Sequence, residues 1–118
     1  MTKLFIGPMS KNIVDVVTEV CRENKVSLGL LPSRRQIEFD GGYVNNWNTH
    51  EFINYVREKN KNVVLQRDHA GPGQGKESDD GTESLILDAS LGFDYLHIDP
   101  WKIHTELEDG ITETIKLI

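Results

Sequence analysis

Apolar residues fall along the chain in short runs separated by longer stretches of helical period. The first run is Leu4-Phe5-Ile6, and Gly7-Pro8-Met9-Ser10 follows as a turn-forming exit. Ser10 is placed to cap a helix in which Ile13, Val16, Val17, Val20 and Cys21 form one apolar face; valine is a weak helix former, so this reading rests on period alone. Val26 to Leu31 is apolar almost throughout, as expected of a parallel strand buried on both faces, and Pro32 ends it. A long polar exit follows.

The chain turns helical again at Asn48 or Thr49, with Glu51 available for a capping box and Phe52, Ile53 and Val56 directed inward. Val63 to Gln66 predicts the third strand, which runs into Arg67-Asp68-His69 and the glycine-rich Gly71-Pro72-Gly73-Gln74-Gly75. A short helix around Ser84 to Ser90 closes at Gly92, a residue suited to the positive φ of a helix end. The fourth strand is Phe93 to Ile98, leaving through Asp99-Pro100-Trp101-Lys102, and a last helix presents Ile111, Ile115 and Ile118 at i, i+4, i+7.

This alternation predicts βα units and a parallel sheet. Each unit takes roughly 30 residues, so residues 1–118 are expected to form a single α/β domain, the N-terminal half of a (β/α)8 barrel whose usual length is about 250 residues. A small flavodoxin-like doubly wound sheet is the competing architecture.

Composition narrows the partners. The formal net charge is -6, and no stretch concentrates Lys and Arg, which argues against nucleic acid. A single cysteine, Cys21, forms no internal disulfide and no zinc-finger spacing, so a reducing, cytoplasmic setting is expected. The opening Met1 to Ser10 holds too short an apolar run for a signal peptide, and no segment approaches the roughly 20 apolar residues of a membrane span.

In parallel α/β folds the ligand site lies at the carboxyl ends of the strands. Here those ends carry Arg34 and Arg35, then Arg67, Asp68 and His69, then Asp99 and Lys102, while the strand entries carry no such set. General enrichment of charge in surface loops accounts for part of this. Adjacent residues at a strand end point to opposite sides, so of Asp68 and His69 one could face the barrel axis and the other reach across the loop to a metal or phosphate. Histidine is the commonest metal ligand and aspartate serves as acid or base. Taken alone, though, an Asp-His dipeptide is more often a helix cap beside an ion pair, here with Arg67 or Arg35.

The glycine-rich loop matches neither G-x-G-x-x-G nor a Walker sequence. Its glycines, Gly73 among them, would let backbone N–H groups approach an anion, or would simply form a mobile loop. Guanidinium forks at Arg34 and Arg35 suit a phosphate, with at least one of the two expected to pair structurally with Glu38 or Asp40. His97 and Asp99 lie two apart on one strand and so on one face; His97 reads as a satisfied core histidine rather than a ligand. Trp47 and Trp101, just beyond strand exits, would wall the site or cover the rim.

Gly41-Gly42-Tyr43, then Asp68-His69-x-Gly71-Pro72, then Gly92-Phe93-x-x-x-His97-x-Asp99, in this order and spacing, resemble the accessory, so-called non-catalytic subunit of class II D-tagatose-1,6-bisphosphate aldolase. The resemblance covers most of residues 29 to 102. It implies a (β/α)8 barrel of carbohydrate metabolism, related to a zinc-dependent lyase that cleaves tagatose 1,6-bisphosphate. By that resemblance Asp68 is the proton-transfer residue and His69 a ligand to a divalent metal, zinc in the related chains. Arg34, Arg35, Gln36, Arg67, Gly73, Asp99 and Lys102 become the candidate substrate or phosphate contacts. The implied partners are a sugar phosphate and either a catalytic aldolase subunit, a second half-barrel or another copy of the chain.

Two departures stand out. Pro32-Ser33-Arg34-Arg35-Gln36 replaces the family's Ala-Thr-Ser-Asn-Gln, and Pro100-Trp101 replaces its Ala-Ser. The two extra positive charges imply a more anionic or differently placed ligand. The family's remaining zinc histidines lie in the second half of its barrel, so this chain by itself is expected not to be a competent aldolase.

Overall fold

The computed structural model describes residues 4–118, so the Met1 to Lys3 part of the opening discussed above lies outside them. Four strands alternate with four helices: β1 (Leu4–Ile6), α1 (Lys11–Asn24), β2 (Leu28–Leu30), α2 (Thr49–Lys59), β3 (Val64–Ala70), α3 (Thr82–Leu91), β4 (Tyr95–Ile98) and α4 (Leu107–Leu117). Every pairing is parallel and the sheet order is β1-β2-β3-β4. The winding therefore never reverses, whereas a flavodoxin-type order places β1 between β2 and β3. Right-handed crossovers that all advance one way leave the helices on one face, and α1 packs beside α2 and α2 beside α3.

The opposite face is open and concave. Phe5 on one edge strand and Tyr95 on the other meet edge to face with ring centroids 6.4 Å apart, although two strands lie between them. Flat strands would put those edges roughly 14 Å apart, three spacings of about 4.8 Å. Gly29 permits the contact, because a Cβ there would lie 2.3 Å from the Phe5 ring.

The core sits between the helices and the other face of the sheet, built from Val14, Val17, Leu30, Ile37, Val44, Phe52, Val56, Val63 and Leu65 with Trp47 at its rim. The α2 cap is as expected: the Asn48 side chain accepts from the Glu51 N–H and the Glu51 carboxylate accepts from the Asn48 N–H. The face of α1 is shifted from the expected one. Val14, Val17, Thr18 and Cys21 are buried while Val16 is 57% exposed, so the apolar period alone misphased the helix by part of a turn. Ile111, Ile115 and Ile118, the apolar stripe that the last helix presents, are exposed, and the buried contact of this helix is Gly110 against the Trp101 ring. Trp47 belongs to the core, in ring contact with Tyr55 and Phe52, and does not wall the strand exits.

Strand limits also differ. Val26 is exposed and outside β2, and β4 begins at Tyr95 rather than Phe93. The consequential change is in β3, which continues through Arg67, Asp68 and His69 to Ala70. Residues expected in an exit loop are therefore part of the sheet.

Candidate functional site at the ends of the third and fourth strands

The register between β3 and β4 breaks at the point where the chemistry collects. Arg67 pairs with Leu96 and Ala70 with Ile98, so Asp68 and His69 together stand opposite His97 alone. This is a β-bulge, in which one strand carries an extra residue. The extra residue is accommodated at His69, whose φ is +47°, in the left-handed region that histidine visits more readily than most side chains. The bulge cancels one step of the normal alternation, so Asp68 and His69 no longer point to opposite sides as adjacent strand residues were expected to do. Both reach His97.

The resulting cluster is compact. His69 Nε2 lies 3.6 Å from Asp68 Oδ1, and His97 Nδ1 lies 3.7 Å from the same oxygen. The two imidazole rings are 5.0 Å apart and tilted by 49°. His97 is about half exposed on the open face, which corrects its reading as a core histidine.

Asp99, just beyond β4, anchors the group from below. His69 Nδ1 is hydrogen-bonded to Asp99 Oδ2. The Trp101 N–H donates to Asp99 Oδ1 at 3.0 Å, and Gln74 Nε2 donates to Oδ2 at 3.0 Å. Burial pushes the Asp99 carboxyl up, but the hydrogen bond from His69 and that from the Trp101 N–H outweigh it and hold the group below the usual carboxylate range. An ionised carboxylate only accepts, so the His69 proton sits on Nδ1 and Nε2 is left as a lone-pair donor in the neutral ring. The same hydrogen bond raises the His69 pKa above its ordinary value.

The glycine-rich loop closes over this anchor. Gly71 approaches the Asp99 backbone so closely that a Cβ would lie 2.7 Å from its carbonyl oxygen. Gly73 donates its N–H to the Asp79 carbonyl at 3.0 Å, so that amide is not turned toward an anion. Lys102 lies next to Gly73 and is exposed, and Arg35 is exposed on the preceding exit.

Three of the expected site residues are instead engaged inside the fold. Arg34 is 1% exposed; its Nε donates to Glu38 and its two terminal nitrogens grip Asp79 at 2.8 and 2.6 Å, which matches the expectation that one arginine pairs with Glu38. Arg67 is fully buried, forks onto Asp88 at 2.7 and 2.8 Å, and donates to the carbonyls of Pro32, Ser33 and Ile37. The side chain of Gln36 accepts from the Ser33 N–H and donates to Met9 Sδ. These three hold the second exit against β3 and α3. Asp79 and Asp88 are functional partners that the sequence reading misses, although the lone acid in the apolar run Leu85-Ile86-Leu87-Asp88 is an available signal.

As a donor set, two imidazole nitrogens and one carboxylate oxygen suit a borderline divalent ion such as zinc rather than calcium or magnesium, which prefer all-oxygen ligands. Tetrahedral zinc would want donor atoms about 3.3 Å apart, close to the two short separations found here. Among the described residues, Asp68, His69 and His97 have donor atoms that all lie within 4.8 Å of one another. No helix among the described residues is long and apolar enough to cross a membrane.

No family model and no curated protein matches this sequence. A solved structure described as a probable tagatose 6 phosphate kinase from Sinorhizobium meliloti 1021 superposes on 99% of the chain with a TM-score of 0.80 at 16% identity. The chain spans 35% of that structure's length. The likeness establishes the α/β fold with four parallel strands and four helices.

Proposed function

We propose that this chain forms the first four βα units of an aldolase-like barrel of carbohydrate metabolism and binds a sugar phosphate at the ends of β3 and β4 with the help of a divalent metal. The observation that carries this reading is the bulge that gathers Asp68 and His69 with His97 above Asp99. The description of the superposing structure as a tagatose 6 phosphate kinase supports a phosphorylated sugar as the ligand class.

His69, steered by Asp99, would present Nε2 to the ion. When bound, such an ion supplies Lewis-acid polarisation of a substrate carbonyl. Asp68 sits beside that position with a carboxylate able to take or return a proton at the substrate carbon or hydroxyl. Exposed Lys102, next to Gly73, provides positive charge for a phosphate at the same rim, and Arg35 provides more from the second exit. Arg34, Arg67 and Gln36 act by holding the exits in place.

A second reading is a barrel subunit that stabilises a catalytic aldolase partner without turning substrate over. The exposed apolar stripe of Ile111, Ile115 and Ile118 on and beside α4 favours it, as do the two edge strands, each paired on one side only among the described residues.

Calorimetric titration of the zinc-loaded chain with tagatose 1,6-bisphosphate, the unphosphorylated sugar and inorganic phosphate tests the first reading. Binding of the bisphosphate alone, weakened in Lys102→Ala, is expected; equal or absent heats for all three would contradict it. Cleavage measured on the same sample separates the readings, since the second predicts binding without products.

A further inference from the structure

The resemblance assigns His69 to a metal but gives His97 no ligand role, and it locates the other ligands in the second half of the family's barrel. We infer that His97 supplies the second imidazole of a divalent metal site that this chain completes by itself through His69 Nε2, His97 Nδ1 and Asp68 Oδ1. The inference rests on the divalent metal of the proposed function and goes beyond it in naming the ligand set.

Four observations converge on it. The first is spacing: Asp68 Oδ1 lies 3.6 Å from one imidazole nitrogen and 3.7 Å from the other. These separations exceed the reach of a hydrogen bond, so the three groups face each other without satisfying each other. A cation between them would.

The second is orientation. His69 Nδ1 is engaged by Asp99, which fixes the tautomer and leaves Nε2 toward the shared oxygen. A carboxylate behind a ligating histidine is the usual outer support of a metal site. The third is access, because the side chains of His69 and His97 are 51% and 47% exposed and Asp68 is 29% exposed. An ion can enter from the open face of the sheet, whereas a structural histidine would be enclosed.

The fourth is the backbone. Holding a non-glycine residue at positive φ is unfavourable, and such positions cluster where function requires them. Without the extra residue in β3, His69 would project to the face opposite Asp68 and no three-donor group would form. Ligation through Oδ1 leaves the second oxygen of Asp68 for proton exchange, so both roles of that residue are compatible.

Titration of the chain with cobalt(II), followed by visible absorption and by competition with a chromophoric chelator, tests the inference. The expected result is one cobalt per chain with the intense d–d bands of a low-coordinate nitrogen and oxygen site. His97→Ala and His69→Ala should each weaken binding by about 100-fold or more, beyond the loss typical of an outer-shell change. Because the His97 side chain is half exposed, His97→Ala should keep the wild-type circular dichroism and urea midpoint. His97→Cys should restore binding and add a thiolate-to-cobalt charge-transfer band, which a structural role would not produce. If His69→Ala abolishes binding while His97→Ala leaves affinity and spectrum unchanged, the inference fails and the metal reading of His69 survives. If the wild-type chain takes up no cobalt, both fail.

Discussion

His69 and Asp99 are joined across the β3–β4 ladder through Nδ1 and Oδ2, and this single hydrogen bond decides which nitrogen of His69 is free for chemistry. Asp99 is in turn fixed by the Trp101 N–H and by Gln74. Asp99→Asn keeps an oxygen for the Trp101 amide but removes the charge behind the imidazole. Zinc affinity should fall by about 10- to 100-fold with the fold unchanged, as chelator competition and circular dichroism would show.

Residue 69 carries two separable demands, a left-handed backbone and an imidazole. At φ +47° alanine pays the Cβ penalty that glycine avoids. His69→Gly should therefore be more stable than His69→Ala by about 1 kcal/mol in urea unfolding, while both lose the metal. Equal stabilities would mean that the bulge relaxes once the imidazole is gone.

The Arg67–Asp88 pair is completely buried and bidentate, and the same guanidinium ties down three carbonyls of the second exit. Asp88→Ala leaves the arginine charge buried and unpaired, at a cost of about 3–5 kcal/mol. The double change Arg67→Met with Asp88→Leu should cost less than Asp88→Ala alone, measured as urea midpoints.

Asp15 on α1 receives Lys11 at 2.8 Å, Lys59 at 3.1 Å and the Tyr55 hydroxyl at 2.5 Å. Burial pushes its carboxyl up, but the hydrogen bonds from Lys11, Tyr55 and Lys59 outweigh that and hold it at about 2, against an ordinary 3.8. The folded pKa lies below the unfolded one, so the unfolded chain binds the proton more readily. This stabilisation is present above pH 3.8 and is lost as pH falls toward 2. Wild type should exceed Asp15→Asn by roughly 1–2 kcal/mol near pH 6, with the gap closing by pH 2 in urea titrations.

The βα rhythm was legible because short apolar runs and capping signals are local. Asn48 with Glu51, and Phe52, Ile53 and Val56 beneath them, could be placed from the sequence alone. The phase of α1 could not, since Ile13, Val14, Val16, Val17 and Val20 are spread around the helix and only contact with the sheet selects Val14 and Val17. At the site, Asp68, His69 and Asp99 were legible as polar residues at strand ends. The bulge was not, because it depends on pairing with β4, and without it His97 looked like a core residue. Arg67 looked like a ligand-binding residue because its partner Asp88 lies 21 positions away, whereas for Arg34 the local partner Glu38 was legible and the second, Asp79, 45 positions away, was not.

The most direct test is anomalous scattering at the zinc edge from crystals of the chain grown with zinc. A single strong peak bonded to Asp68, His69 and His97, with Asp99 behind His69, is expected. A peak only at His50 or His104, or no peak on the open face of the sheet, would contradict it.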